Sequence, residues 1–187
     1  MRMRIISGEL KGRLINVPKS DQIRPTTDRV RETLFNLLNN IIDFDSINIL
    51  DVYAGSGSLG LECLSRGASK VEFVEKNFII YKNLEENIKS LDAGEQCIVH
   101  KMEAIKFSAI PPKHQYELIL ADPPFFKDDI YAVVKNLLLH KFLASGGIIV
   151  IERSKQTKEK DIENLGMEPF KLIGDTCLYK ILENAPE

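Results

Sequence analysis

The sequence predicts an α/β protein built on a mainly parallel sheet. Two observations carry this. From about residue 48, short apolar runs rich in β-formers alternate with longer stretches in which apolar residues recur at helical spacing. Strands alternating with helices imply crossover connections, which cover a parallel sheet on both faces. The second is a glycine-rich turn between the first of these runs and the next helix, because such turns lead chains from strand to helix at ligand sites.

Taken in order, the N-terminal stretch containing Gly8 and Gly12 can form a small hairpin. Val17 to Pro25, with two prolines and mixed charge, reads as a linker. A helix is expected from about Asp28 to Ile42, burying Val30, Leu34, Leu37, Leu38 and Ile41. Strands are expected at Asn48 to Ala54, Val71 to Glu75, Cys97 to His100, Tyr116 to Ala121 and Ile148 to Glu152. Helices are expected between them at Leu59 to Arg66, Phe78 to Leu91 and Ile130 to Phe142. Two more strand-like stretches, Met167 to Ile173 and Cys177 to Leu182, are joined by Gly174-Asp175 without a helix, which predicts a terminal antiparallel hairpin. There is no internal repeat.

At 187 residues and 44% hydrophobic, the chain can bury a full core without disulfides or a structural metal. Cys63, Cys97 and Cys177 form no C-x-x-C, so neither a disulfide scaffold nor a zinc site is expected. No apolar run reaches the roughly 20 residues that span a bilayer, and no secretory apolar core follows the N-terminus. The expected location is the cytoplasm. The formal net charge of −2 hides an asymmetry: residues 1–31 hold eight Lys/Arg against three acids, so this arm is at +5 and the rest at −7. A basic arm on an acidic body suits a polyanion held at one end, although a solvated Arg-rich surface would read the same way.

The first strand runs into Asp51-Val-Tyr-Ala54-Gly55-Ser56-Gly57-Ser-Leu-Gly60. Glycines there allow a tight turn and let a ligand approach the helix N-terminus. Glu75 follows Gly55 by 20 residues, at the end of the next strand, where an acid can grip a ribose diol. Gly55-x-Gly57-x-x-Gly60 fits the dinucleotide fingerprint, a weak signal by itself because a glycine-rich strand-to-helix turn can also be plain packing. Asp51 favours a different ligand, since a carboxylate at the mouth of the loop repels a pyrophosphate and attracts a cation. S-adenosylmethionine, with a sulfonium, an ammonium and no phosphate, is the better match.

Leu118-Ile-Leu-Ala-Asp122-Pro123-Pro124-Phe125 ends the fourth strand. Two prolines stop the ladder and fix a rigid turn at the carboxyl edge of the sheet, where open α/β folds bind ligands. An exocyclic nucleobase amine becomes nucleophilic only when acceptors hold its hydrogens and let it pyramidalise. The Asp122 carboxylate and the Pro123 carbonyl can be those acceptors, and Phe125 can stack on the base. Methylation at pyrimidine carbon 5 needs a cysteine nucleophile, and none lies in or beside this motif. His100, His114 and His140 are scattered and form no nucleophile motif. The bland alternative for the whole motif is a strand-terminating turn.

In combination, Arg24-Pro-Thr-Thr-Asp-Arg-Val-Arg-Glu-Thr-Leu-Phe-Asn36, Leu50-Asp-Val-Tyr-Ala-Gly-Ser-Gly-Ser-Leu-Gly-Leu-Glu62, Ser65-Arg-Gly-Ala68 and Asp122-Pro-Pro-Phe125 resemble the bacterial methyltransferases that modify the N2 amine of a guanine in 16S ribosomal RNA. The resemblance runs from Arg4 to Tyr179. It implies a Rossmann-like class I fold dependent on S-adenosylmethionine, with a seven-stranded, mostly parallel sheet, a C-terminal antiparallel hairpin and a small N-terminal hairpin extension. Residues 1–24 would then be a basic RNA-contact extension and residues 25–187 the methyltransferase domain. It also implies that Asp51, Ala54, Gly55, Ser56 and Gly57 line the methionine part of the donor, that Glu75 meets the ribose, and that Thr26 approaches the carboxylate end. Glu103 and Ala104 would stand near the adenine, Glu103 being longer than the family's usual Asp. Asp122, Pro123, Pro124 and Phe125 would form the catalytic loop, and Arg4, Lys11 and Arg13 would hold RNA phosphates. The implied product is S-adenosylhomocysteine, without a metal. The implied partner is small-subunit ribosomal RNA or the assembling small subunit, met by a monomer. Alternatives are N6-adenine methylation of DNA or RNA, and a non-catalytic RNA-binding module on the same fold.

Overall fold

The computed structural model describes residues 1–18, 28–124 and 127–183, apart from the side chain of Asp28. Two short strands, β1 (Arg2–Arg4) and β2 (Leu14–Asn16), pair antiparallel as the N-terminal hairpin. The main body then runs α1 (Asp28–Leu38), β3 (Asn48–Val52), α2 (Ser58–Ser65), β4 (Lys70–Val74), α3 (Phe78–Ser90), β5 (Cys97–His100), α4 (Ala104–Ser108), β6 (Tyr116–Ala121), α5 (Asp129–Leu139), β7 (Leu143–Ser154), α6 (Lys158–Leu165), β8 (Lys171–Ile173) and β9 (Thr176–Leu182).

Seven of these strands form one sheet in the order β5-β4-β3-β6-β7-β9-β8. The first five are parallel to their neighbours, while β9 runs antiparallel to both β7 and β8. The order reverses between β3 and β6, and the crevice at the carboxyl ends of these two strands is where such a sheet receives ligands. Strand alternation divides the core into two. On one face Ile49, Leu120 and Val150 pack with Leu34, Phe35, Leu61 and Leu84. On the other, Leu50, Ile119, Ile149 and Ile151 pack with Ala104, Ile130, Val133 and Leu137.

The N-terminal hairpin is fastened to the first face. Met3, Ile5 and Ile15 are buried in that core, and the buried Glu62 of α2 accepts from Ile6 N at 2.7 Å and Ser7 N at 3.0 Å. Asn87 of α3 exchanges a pair of hydrogen bonds with the Asn16 backbone and donates to Ser56 O at 3.0 Å, so one side chain links the hairpin to the glycine turn.

Several bounds differ from the sequence expectation, each for a local reason. The first helix stops at Leu38 rather than Ile42, because Asn39-Asn40 turn the chain, with Asn40 Nδ2 donating back to Asn36 O. Ile41 is consequently exposed and is no part of the core stripe. The first main strand ends at Val52 because Tyr53 adopts a left-handed φ of 69°. β7 begins at Leu143, five residues early, across a register shift against β6. The short helices α4 and α6 had no predicted counterpart: the 5 residues of α4 hold barely more than one turn, and α6 buries Asp161 rather than an apolar stripe. Among the described residues no helix is long and apolar enough to cross a membrane.

Candidate active site

A cavity of about 440 Å³ opens over the carboxyl ends of β3, β4 and β6, within the size range of small-molecule sites. On one flank lies the turn after β3. Asp51, next to last in that strand, is 1% exposed, and its Oδ2 accepts from Gly60 N at 2.9 Å. Burial raises its pKa from 3.8 to about 7; the Gly60 hydrogen bond opposes this, and nearby Asp122 and Glu75 add to it.

Glu75 sits one residue beyond β4. Its Oε2 accepts from Gly55 N at 3.1 Å and its Oε1 from Asn77 N at 2.7 Å, so one carboxylate pins both the glycine turn and the entry to α3. Burial pushes its pKa up against those hydrogen bonds. The backbone N–H groups of Asn77, Gly55 and Lys76 all favour its charged form. Gly60 serves packing: a Cβ there would lie 2.4 Å from Phe73 Cε1, so α2 rests directly on β4. Gly57 also turns away from the cavity, toward Leu84.

The third acid, Glu103, is the N-terminal flanking residue of α4 and pairs with Lys106 at 2.8 Å. That lysine holds its carboxyl below the usual range. Ala104 follows, buried.

The opposite flank is the segment after β6. Asp122, Pro123 and Pro124 line the cavity, with Pro123 buried and Asp122 half-buried. The segment is anchored from its far end. Lys127 N donates to Pro124 O at 3.0 Å, and Arg153 Nη1 donates to Lys127 O at 3.3 Å. Arg153 itself is held through Nε at 2.9 Å by Asp161, which also accepts from Tyr131 and Thr157 at 2.6 and 2.7 Å. Both members of the Arg153–Asp161 pair have side chains at 0% exposure.

Asp51, Ala54, Gly55, Ser56, Glu75, Glu103, Ala104, Asp122, Pro123 and Pro124 therefore line one cavity, whereas Gly57 stands behind it. Thr26, Phe125 and the expected boundary between residues 24 and 25 lie outside the described residues. Arg4, Lys11 and Arg13 are exposed on or beside the hairpin and do not line the cavity. Arg13 spends one N–H on Ser90 O at the end of α3. Sequence reading missed Tyr53, Lys127, Glu152 and the Arg153–Asp161 anchor. Only Glu152 carried a signal, as an acid directly after the apolar run Ile148 to Ile151.

Residues 3–181 match a family model described as conserved hypothetical protein 95. The ribosomal RNA small subunit methyltransferase D of Escherichia coli (strain K12) is 38% identical over 151 residues, which are 81% of this chain and 74% of that protein. Its namesake in Haemophilus influenzae is 34% identical over 184 residues, 97% of this chain and 94% of that protein. Among solved structures, the E. coli chain yhhF, provisionally described as a methyltransferase, superposes with a TM-score of 0.82 at 30% identity and covers both chains fully. The hairpin-bearing, seven-stranded sheet and its relatives thus agree: the chain belongs to the conserved hypothetical protein 95 family, the family of the ribosomal RNA small subunit methyltransferases D.

Proposed function

We propose that this chain transfers the methyl group of S-adenosylmethionine to the exocyclic N2 of a guanine in small-subunit ribosomal RNA. One observation carries the reading: a carboxylate and a proline pair at the end of β6 face the same cavity as a glycine turn ringed by acids. The relatives named for methylating small-subunit ribosomal RNA supply the substrate class.

The donor set suits the proposed cofactor. A ligand with a sulfonium and an ammonium gains from Asp51, and a ribose hydroxyl can use the acceptor capacity that remains on Glu75. Gly55 lines the cavity at a φ of 57°, and the space a Cβ would take there is open. Ala54, Ser56 and Thr26 would surround the methionine part, with Gly57 shaping the turn behind it. Glu103 and Ala104 would stand at the adenine. When bound, the cofactor supplies an electrophilic methyl carbon on sulfur.

The remaining steps belong to the chain. Asp122 accepts one N2 hydrogen and the Pro123 carbonyl the other, which directs the nitrogen lone pair toward the methyl carbon. Pro124 keeps the turn rigid and Phe125 stacks on the base, a contact worth about 1–3 kcal/mol. Such stacking and hydrogen bonding offset the few kcal/mol needed to extract a base from its stack. As the N–C bond forms and the C–S bond breaks, the excess proton on N2 passes toward Asp122 or water. The basic extension over residues 1–24 would position RNA through Arg4, Lys11 and Arg13 without reading sequence. The enzyme would act as a monomer in the cytoplasm.

Tritium transfer from labelled donor to small-subunit RNA or particles, against duplex DNA, tests this. Label released from RNA as N2-methylguanosine is expected. Label only in DNA, or on adenine, would overturn the reading.

A further inference from the structure

Holding an exocyclic amine does not distinguish guanine from adenine, because both bases present one. The difference lies at the neighbouring ring atom: N1 of guanine carries a hydrogen, and N1 of adenine a lone pair. A residue that selects guanine must therefore place an acceptor beside Asp122.

Glu152 occupies that position. β6 and β7 are parallel, with Ala121 opposite Ile151. One step further along each chain come Asp122, just past the end of β6, and Glu152, still within β7. Strand alternation gives Glu152 the face of Val150, which shares a core cluster with Leu120 of β6. Both acids are half-buried, and both line the cavity. Beyond Glu152 the sheet continues into β9, where Leu178 is its partner, and the turn from Gly174 to Thr176 bounds the cavity on that side. Asp129, at the start of α5, and Asp175, in the β8–β9 turn, also line the cavity, but Glu152 is the one carboxylate among the described residues of β7, the strand paired with β6.

We infer that Glu152 is the residue that selects guanine: its carboxylate accepts the N1 hydrogen while Asp122 and the Pro123 carbonyl take the two N2 hydrogens. Three acceptors then meet the three donors of the guanine edge. Adenine turned with its amine toward Asp122 sets its N1 lone pair against the Glu152 carboxylate, with no hydrogen between them. A site built around a donor on the substrate strongly rejects an analogue that lacks it. This inference rests on the proposed guanine-N2 chemistry and adds the determinant of base identity.

The test uses 2-aminopurine, which keeps the N2 amine and has no hydrogen on N1. Once the methylated nucleotide is mapped, the RNA is rebuilt with that single guanine replaced. The unaltered enzyme is expected to favour the guanine RNA in kcat/KM by about a hundredfold or more. Glu152→Gln, whose amide can turn an N–H toward a lone pair, is expected to lower that preference by about tenfold or more, and Glu152→Asp to retain it. Taking the ratio within each enzyme cancels any general loss of folding or donor binding. Equal use of both RNAs by the unaltered enzyme overturns the role of Glu152 even if a variant fails to fold. An unchanged ratio in Glu152→Gln overturns it as well. In either case guanine methylation by the unaltered enzyme leaves the broader function standing, whereas no methylation of guanine at all would overturn that function first.

Discussion

The two flanks of the cavity are built in different ways. On the glycine side, Asp51 and Glu75 bond to backbone N–H groups of Gly60, Gly55 and Asn77, all between β3 and the start of α3. On the Asp122 side, the loop is fixed by Arg153 and Asp161, residues that arrive from β7 and α6. The first flank is local and assembles with its own strand-turn-helix. The second depends on a fully buried ion pair between later parts of the chain. Donor binding and methyl transfer should therefore respond separately to substitution.

The sharpest separation is expected from Asp122→Ala. Removing the acceptor for the amine should lower the rate of methyl transfer by about 10³-fold, within the range for a positioned acid–base group. Donor affinity measured by calorimetry should change little, since Asp122 is no part of the glycine flank. Equal losses in both would merge the two flanks.

Asp161→Ala should come next, acting on stability. It strands the Arg153 guanidinium in the interior, and a broken buried pair typically costs about 3–5 kcal/mol. Urea unfolding should show this as a lower midpoint with little change in slope. A loss under about 1 kcal/mol would mean that the pair is not what anchors the loop.

Glu75→Ala probes the other flank. It leaves the Gly55 and Asn77 amides without their acceptor and removes the group proposed for the ribose, so donor affinity should fall by about 1.5–3 kcal/mol, roughly 10- to 150-fold. At saturating donor the rate of transfer should be nearly preserved. A large loss of rate at saturation would place Glu75 in the chemistry.

The smallest effect is one of pH. With a folded pKa of about 7 against 3.8, Asp51 binds a proton in the native state that the unfolded chain releases between those values. Its contribution to stability is therefore full below about pH 4 and declines as pH rises toward 7. A cationic donor favours the ionised form, so donor affinity should rise as pH passes through about 7, and Asp51→Asn should flatten that rise. An equally steep profile in the variant would assign it to another group.

The contrast between the flanks also explains what could be read from the sequence. Asp51, the glycines and Glu75 lie within 25 residues, and their spacing alone reports a strand, a turn and a second strand. Asp122 was visible because two prolines after an apolar run have few other uses. The Arg153–Asp161 anchor was not, since a charged pair eight residues apart looks like any surface pair until the fold buries it. Asn87 is similar: nothing in Glu86-Asn87-Ile88 announces a side chain that ties the hairpin to Ser56. Glu152 needed the β6–β7 register, which no local pattern encodes. Local contacts leave a trace in spacing, and long-range ones do not.

The most direct test of the central claim is mass spectrometry of small-subunit ribosomal RNA from cells with and without this chain. One guanine should lose its N2 methyl group when the chain is removed and regain it on addition of purified protein and donor. The same N2-methylguanosine content in both RNAs, or a loss confined to N6-methyladenosine, would contradict the account.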